Sequence, residues 1–219
     1  MPKAECVYIR LLIEVEYMLI TAIEPRRKSL SAVYIDGEFA MKLDTFTLMK
    51  EGIKAGVEID DQQLKDIIDK SDAYRAKEKA LYLIGYRDHS KKELSDKIRR
   101  TCSKEAAEQA ADKMEELGLV NDENYAKRYA AQLLRSKHMA PRGIAYKLRE
   151  KGIDRDLIDK IIDEMEFDTI GEIKVILEKK YPRYHEDEKI NRRAAAYLQR
   201  MGYGYGDIKT AMNSNEEYY

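Results

Sequence analysis

Three stretches decide the fold: Leu94–Ala110 (LSDKIRRTCSKEAAEQA), Ile144–Ile162 (IAYKLREKGIDRDLIDKII) and Ala194–Met212 (AAAYLQRMGYGYGDIKTAM). Ile98, Leu148 and Leu198 stand 50 residues apart in them, and Gly152 and Gly202 each follow an apolar-periodic run. A fixed period of this length marks a tandem array of one supersecondary unit. The spacing predicts helix, helix, turn, helix in each unit, tiling 76–118, 122–166 and 170–213. Unit one lacks the glycine and has a turn one residue shorter, at Thr101-Cys102. One such triplet buries little by itself, so neighbouring units must support one another.

Outward from the repeats, the helical spacing begins beyond Ser71, where Ala76, Ala80, Leu83 and Ile84 recur at i, i+4, i+7 and i+8. Ser90-Lys91-Lys92-Glu93 reads as a capping box, the serine taking an orphan N–H and the glutamate reaching back to the serine's own N–H. Ser103 opens the next helix, Asn121 or Asp122 caps the first helix of unit two, and Phe167-Asp168-Thr169 links to unit three. The N-terminal third alone is β-rich. Val33-Tyr34-Ile35, Asp36-Gly37 and Phe39-Ala40-Met41 form a strong hairpin signal. Asp44 is placed to N-cap a short helix through Met49 that stops at Gly52, and a second helix runs from Asp60 or Asp61 towards Lys70. The expected fold is mostly α, with three tandem three-helix (helix-turn-helix-like) units in an elongated array behind a small β-hairpin-containing module. The expected divisions are 1–71, 72–120, 121–167 and 168–219.

Composition narrows the function classes. The chain has 219 residues, 44% hydrophobic and 37% charged, enough apolar material for a core despite the charge. No apolar run approaches the ~18 residues of a membrane span. Two cysteines, Cys6 and Cys102, make neither a disulfide framework nor a zinc site and fit a reducing cytoplasm. Forty basic residues nearly balance 41 acidic ones, so distribution matters more than the sum. Glu58, Asp60, Asp61, Asp66, Asp69 and Asp72 form an acidic stretch. A basic stretch runs from Arg135 to Arg155.

A catalytic constellation is hard to find. His89, His138 and His185 have no second histidine at i+3 or i+4 and read as solvated turn residues. The Gly202-Tyr203-Gly204-Tyr205-Gly206 run follows a helix instead of a strand, so a flexible repeat turn fits it better than a phosphate loop. Cys102 reads as a half-buried small residue. No cofactor is called for. What recurs is basic surface at similar places in the three units: Lys91, Lys92, Arg99 and Arg100 in unit one; Arg135, Arg142, Lys147, Arg149 and Lys151 in unit two; Arg192, Arg193 and Arg200 in unit three. Such a stripe suits a regular anionic track, either nucleic-acid phosphates or the surface of a filament.

ITAIEPRRKSLSAVYIDGEFAMKL, AKEKALYLIGYRDHSKKELSDKIR, LGLVNDENYAKRYA and PRGIAYKLREKGIDRDLID together resemble the RecX family, regulators of the bacterial RecA recombinase. The resemblance covers about residues 18–213. Its strongest parts are Arg87–Leu94, Leu119–Ala126 and Leu148–Ile153, and it is specific in their order and distances. It implies a non-enzymatic, cytoplasmic, monomeric protein that lies in the groove of the RecA–DNA filament. There it would suppress filament growth, ATP hydrolysis and strand exchange during recombination and repair. Asp122, Tyr125 and Ala126 match the family's Asp-x-x-aromatic-Ala segment; on residue chemistry, Tyr125 reads as packing core and Asp122 as an N-cap. A second reading is a protein that binds DNA directly, inserting the second helix of a unit into a groove, although no unit offers an evident base-reading set. The resemblance begins near Met18. Residues 1–17 are then either an extra strand, with Val7, Ile9, Leu11 and Ile13 on one face, or the product of a start placed too far upstream.

Overall fold

The computed structural model describes residues 17–213; the expectation for residues 1–17 lies almost wholly outside them. The described residues divide into two compact bodies, 17–78 with Thr101–Ala106, and Lys79–Arg100 with 107–213.

The first body is built on a four-stranded antiparallel sheet of order β3-β2-β1-β4, from β1 (Met18–Pro25), β2 (Leu30–Ile35), β3 (Glu38–Asp44) and β4 (Glu58–Ile59). Asp36-Gly37 makes the expected hairpin turn, with φ of 51° and 89°. β4, a two-residue strand pairing Ile59 with Met18, was too short to leave a period in the sequence. Asp44 N-caps α1 (Thr45–Lys50) as expected, its Oδ1 accepting from the Thr47 N–H at 2.8 Å. Ile20, Val33, Leu43, Leu48, Ile59 and Ile67 form the core here.

The helix that starts at Asp61 does not stop near Lys70. It runs 26 residues as α2 (Asp61–Tyr86), so the two helices expected on either side of Ser71 are one. Ser71 does not punctuate because it is an interior acceptor: it is 1% exposed and takes the Asp44 N–H at 2.7 Å. Asp72 likewise holds the Ser103 N–H at 2.6 Å, and Arg75 donates to the Thr101 carbonyl at 3.0 Å. Ser103 caps the next helix through the Ala106 N–H, as its sequence position predicts.

The repeat is present as α3 (Lys91–Ile98) and α4 (Lys104–Glu116), then α5 (Asp122–Lys137), α6 (Pro141–Glu150) and α7 (Arg155–Asp163), then α8 (Thr169–Lys180), α9 (Glu188–Arg200) and α10 (Tyr205–Asn213). Leu94 and Ile98, Ile144 and Leu148, Ala194 and Leu198 are all 0% exposed, so the second helix of every unit buries the same two positions. Each pair is spaced i, i+4 on one helical stripe. From α5 to α10 the apolar core is continuous, so units two and three share it. Among the described residues no helix is long and apolar enough to cross a membrane.

The unit glycines answer to packing as much as to the turn. Gly152 and Gly202 both hold positive φ, 79° and 96°. A Cβ on Gly152 would meet Lys92 Cδ at 2.4 Å and Lys92 Cβ, fixed to its backbone, at 2.5 Å, whereas one on Gly202 would meet the Gly143 backbone nitrogen at 2.3 Å. The left-handed conformation costs a non-glycine residue about 1–2 kcal/mol in either case. Gly152→Ala is therefore expected to lose more than that, because Lys92 Cβ cannot move without its backbone. Gly202→Ala should lose at least as much, its Cβ meeting Gly143 nitrogen and Cα, both backbone. Urea denaturation of both variants beside the parent checks the order.

Candidate partner-binding surface

The units are joined by one contact, made twice. At the junction of units one and two, the Ser90 hydroxyl donates to the Lys151 carbonyl at 2.6 Å. At the junction of units two and three, the Ala140 N–H donates to the Met201 carbonyl at 3.1 Å. Ser90 and Ala140 are the N-caps of α3 and α6, 50 residues apart; Lys151 and Met201 end α6 and α9, again 50 apart. The turn of each later unit thus seats its carbonyl on the start of the second helix of the unit before.

The two joints are finished with different chemistry. At the first, Glu93 is the hub. Its carboxylate takes Arg87 at 2.7 and 3.2 Å, Lys151 at 3.1 Å and the Tyr125 hydroxyl at 3.4 Å. Burial would push the Glu93 carboxyl up, but the hydrogen bonds and charges of Arg87 and Lys151 overcome it and hold it at about 2. Only half of the expected capping box forms. The Glu93 N–H does donate to Ser90 Oγ, at 3.2 Å, but the Glu93 side chain turns to these cations instead of the serine N–H. Asp122 is a cap, though not of its own helix. Asn121 caps α5, while Asp122 Oδ1 accepts the Lys91 N–H at 2.8 Å and so closes the start of α3. Burial raises the Asp122 carboxyl pKa against the opposing pull of that N–H. Tyr125 is packing core at 8% exposed, as expected. At the second joint, beside the Ala140 contact, the Tyr203 hydroxyl donates to the His138 carbonyl at 2.6 Å, and burial together with the nearby Glu172 carboxylate raises the Tyr203 pKa.

Grooves open along these joints. One, of about 380 Å³ at the first joint, is lined by Lys91, Lys92 and Arg99 but also by Asp96, Glu108, Asp112 and Asp122. Its equivalent at the second joint, about 660 Å³, is lined by Arg142, Lys147, Arg200, Tyr146, Tyr203 and Tyr205 among others, with no carboxylate in its described lining. A third, about 440 Å³, holds Arg87, Arg128, Lys151, Tyr125 and Tyr129, and there Arg128 pairs with Asp88 at 2.9 Å.

Models of the RecX three-helix domains match this chain three times over: the first at residues 76–114, the second at 121–161 and the third at 172–212. The chain belongs to the RecX family. It is 34% identical to a regulatory protein RecX from Caldanaerobacter subterraneus over 200 residues, covering 90% of this chain and 99% of that one. It is 28% identical to one from Clostridioides difficile, over 89% and 94%. A crystal structure of a regulatory protein RecX shares its fold, with a TM-score of 0.57 at 21% identity over 90% of this chain and 99% of that one. A RecX structure from Lactobacillus salivarius does so with a TM-score of 0.53 at 23% identity, over 66% and 97%.

Within this RecX-family chain the basic residues expected from sequence divide by what they touch. Lys91 is bound to Asp112 and Glu115, both at 2.7 Å, and these carboxylates raise its pKa. Lys151 is held by Glu93 and Arg192 by Glu188. Lys147 reaches Glu150 at 2.7 Å and Arg99 reaches Asp96 at 4.0 Å, both exposed pairs of little energetic weight. Arg142, Arg149 and Arg193 make no ion pair among the described residues. Arg142, Lys147 and Arg200 share one groove and Lys91, Lys92 and Arg99 another; Arg100, Arg135, Arg149, Arg192 and Arg193 line neither. Arg87 and Arg128 were missed because their acidic partners, six and 40 residues away, give no local signal. The histidines are not three alike. His89 is 3% exposed, because its Nδ1–H donates to the Arg87 carbonyl at 2.8 Å and folds the ring inward; burial lowers its pKa. His138 lies 2.5 Å from Glu172, and His185 is exposed beside Tyr184.

The Glu93 hub has a pH signature. Its folded pKa is depressed, so its contribution is complete above the unfolded carboxylate value and is lost as pH falls through about 2. The size is on the order of 3 kcal/mol for a group held this far below its usual range. Glu93→Gln is expected to lower stability at pH 7 and to flatten the fall in stability between about pH 4.5 and 2. Chemical denaturation across that range, parent against variant, checks it.

Proposed function

We propose that this RecX-family regulator acts on RecA without chemistry of its own, by binding along the groove of the RecA–DNA filament and suppressing filament growth, ATP hydrolysis and strand exchange. The observation that carries this is the repeated joint. At both joints a turn carbonyl seats on the start of the second helix of the unit before, at positions 50 residues apart. Lys92, Arg142 and Arg192 stand at the same place in the three second helices, a recurrence that suits a partner with a regular anionic surface. Family membership supplies RecA as that partner, and the protein works where RecA does, in the cytoplasm. Direct DNA binding through the same helices is the second reading, favoured by the groove at the second joint, where cations and tyrosines stand together.

A surface charge at a rim contributes about 0.2–1 kcal/mol, so any one alanine substitution should be mild. Charge reversal of Lys147, Arg149 and Lys151 together would mix two effects, since Lys151 also holds Glu93. Lys147→Glu with Arg149→Glu keeps that joint. The purified parent is expected to lower RecA ATP hydrolysis and shorten filaments, and the double variant to lose most of that effect while melting like the parent. Unchanged inhibition by the double variant would remove this face from the interface.

A further inference from the structure

We propose that the groove at the second joint is a site for single-stranded nucleic acid, gripping phosphates with Arg142, Lys147 and Arg200 and stacking unpaired bases on Tyr146 and Tyr205. The inference rests on the reading of the second-helix cations as partner-binding surface, and it names what one part of that surface takes.

The two equivalent grooves make the argument. Both lie where the turn of one unit seats on the second helix of the unit before, so the fold alone predicts equal character. At the first joint four carboxylates face three cations, and the groove neutralises itself. At the second joint the three cations face no carboxylate in the described lining. Two acids stand near it in sequence: Glu150 is engaged by Lys147, and Asp207, whose Oδ2 would lie 3.0 Å from a Cβ on Gly204, borders the rim at the start of α10 without joining the described lining. Position 96 is aspartate in the first groove, and its counterpart 50 residues on is Tyr146; Gly204-Tyr205 extends the second groove further. Tyr146 and Tyr205 are 56% and 72% exposed, more than packing would leave a tyrosine, while Tyr203 is buried and holds the joint. Exposed rings interleaved with cations are the composition that binds a single strand, because every base has a face to stack and every phosphate a charge. An acidic peptide would use the cations and leave the rings idle. A duplex would hide its base faces from them.

The test uses the full chain, without RecA, titrated into a short fluorescent oligothymidine, a strand of equal length lacking bases, and polyglutamate as competitor. Oligothymidine should bind more tightly than the abasic strand. Tyr146→Ala and Tyr205→Ala should each weaken oligothymidine by about 10-fold and leave the abasic strand unchanged. Arg142→Ala with Arg200→Ala should weaken both strands and reduce the salt dependence. Lys92→Ala with Arg99→Ala, in the self-neutralised groove, should change little. The proposal fails if the abasic strand binds as well as oligothymidine, if the tyrosine variants bind like the parent, if polyglutamate competes on equal terms, or if no strand binds. RecA ATP hydrolysis measured separately distinguishes the two failures. Inhibition without strand binding keeps the RecA reading and ends this one; strand binding without inhibition does the reverse.

Discussion

A carbonyl at the end of one helix, seated on the start of another, is the contact on which the helical array depends. Lys151 gives its carbonyl to Ser90 and Met201 gives its carbonyl to Ala140. A helix end carries orphan acceptors, and the start of the second helix in the unit before supplies the donor, a side-chain hydroxyl at Ser90 and a backbone N–H at Ala140. The close approach is possible because the residue after each carbonyl is glycine, and at the second joint because Gly143 also presents no side chain to the incoming Met201 carbonyl.

The same position is occupied differently in unit three. In unit three the position equivalent to Ser90 and Ala140 is Ile190. It lies inside a helix that starts early, at Glu188, and its N–H is taken by Asp187 Oδ1 at 3.3 Å. In unit one, the Thr101 carbonyl stands where Lys151 and Met201 stand later, and Arg75 takes it. That turn needs no glycine because no helix start has to come close to it, which accounts for its shorter, glycine-free sequence. Units one and three thus each differ from the joint pattern in one hydrogen-bonding group.

The period was legible because burial at two positions per second helix writes itself into the sequence as Leu94/Ile98, Ile144/Leu148 and Ala194/Leu198. The hairpin and the caps at Asp44 and Ser103 were legible for the same reason: each is a local rule satisfied locally. What the sequence concealed were side chains whose partners are distant along the chain. Asp122 looked like a cap for its own helix and caps α3. Glu93 looked like half of a capping box and is the centre of an ion network reaching Lys151, 58 residues away. Ser71 looked like punctuation and is buried inside a continuous helix. Local pattern specifies elements; the polar groups that bind elements together are chosen by tertiary neighbours and leave no period.

That division also settles how a nearly neutral chain carries a basic surface. At the first joint position 93 is glutamate, a charge that must be compensated once half-buried. Arg87 and Lys151 are drawn in to compensate it, while Asp112 and Glu115 draw in Lys91. Cations there serve the fold. At the second joint position 143 is glycine, and the contact is backbone to backbone instead of an ionic hub. Arg142, Lys147 and Arg200 line the groove there with no carboxylate in its described lining, although Lys147 also reaches Glu150. A half-buried glutamate in one repeat and a glycine at the same place in the next thus give one architecture two joints, one held by charge and one by close backbone approach. The grooves beside them differ accordingly in what they can hold.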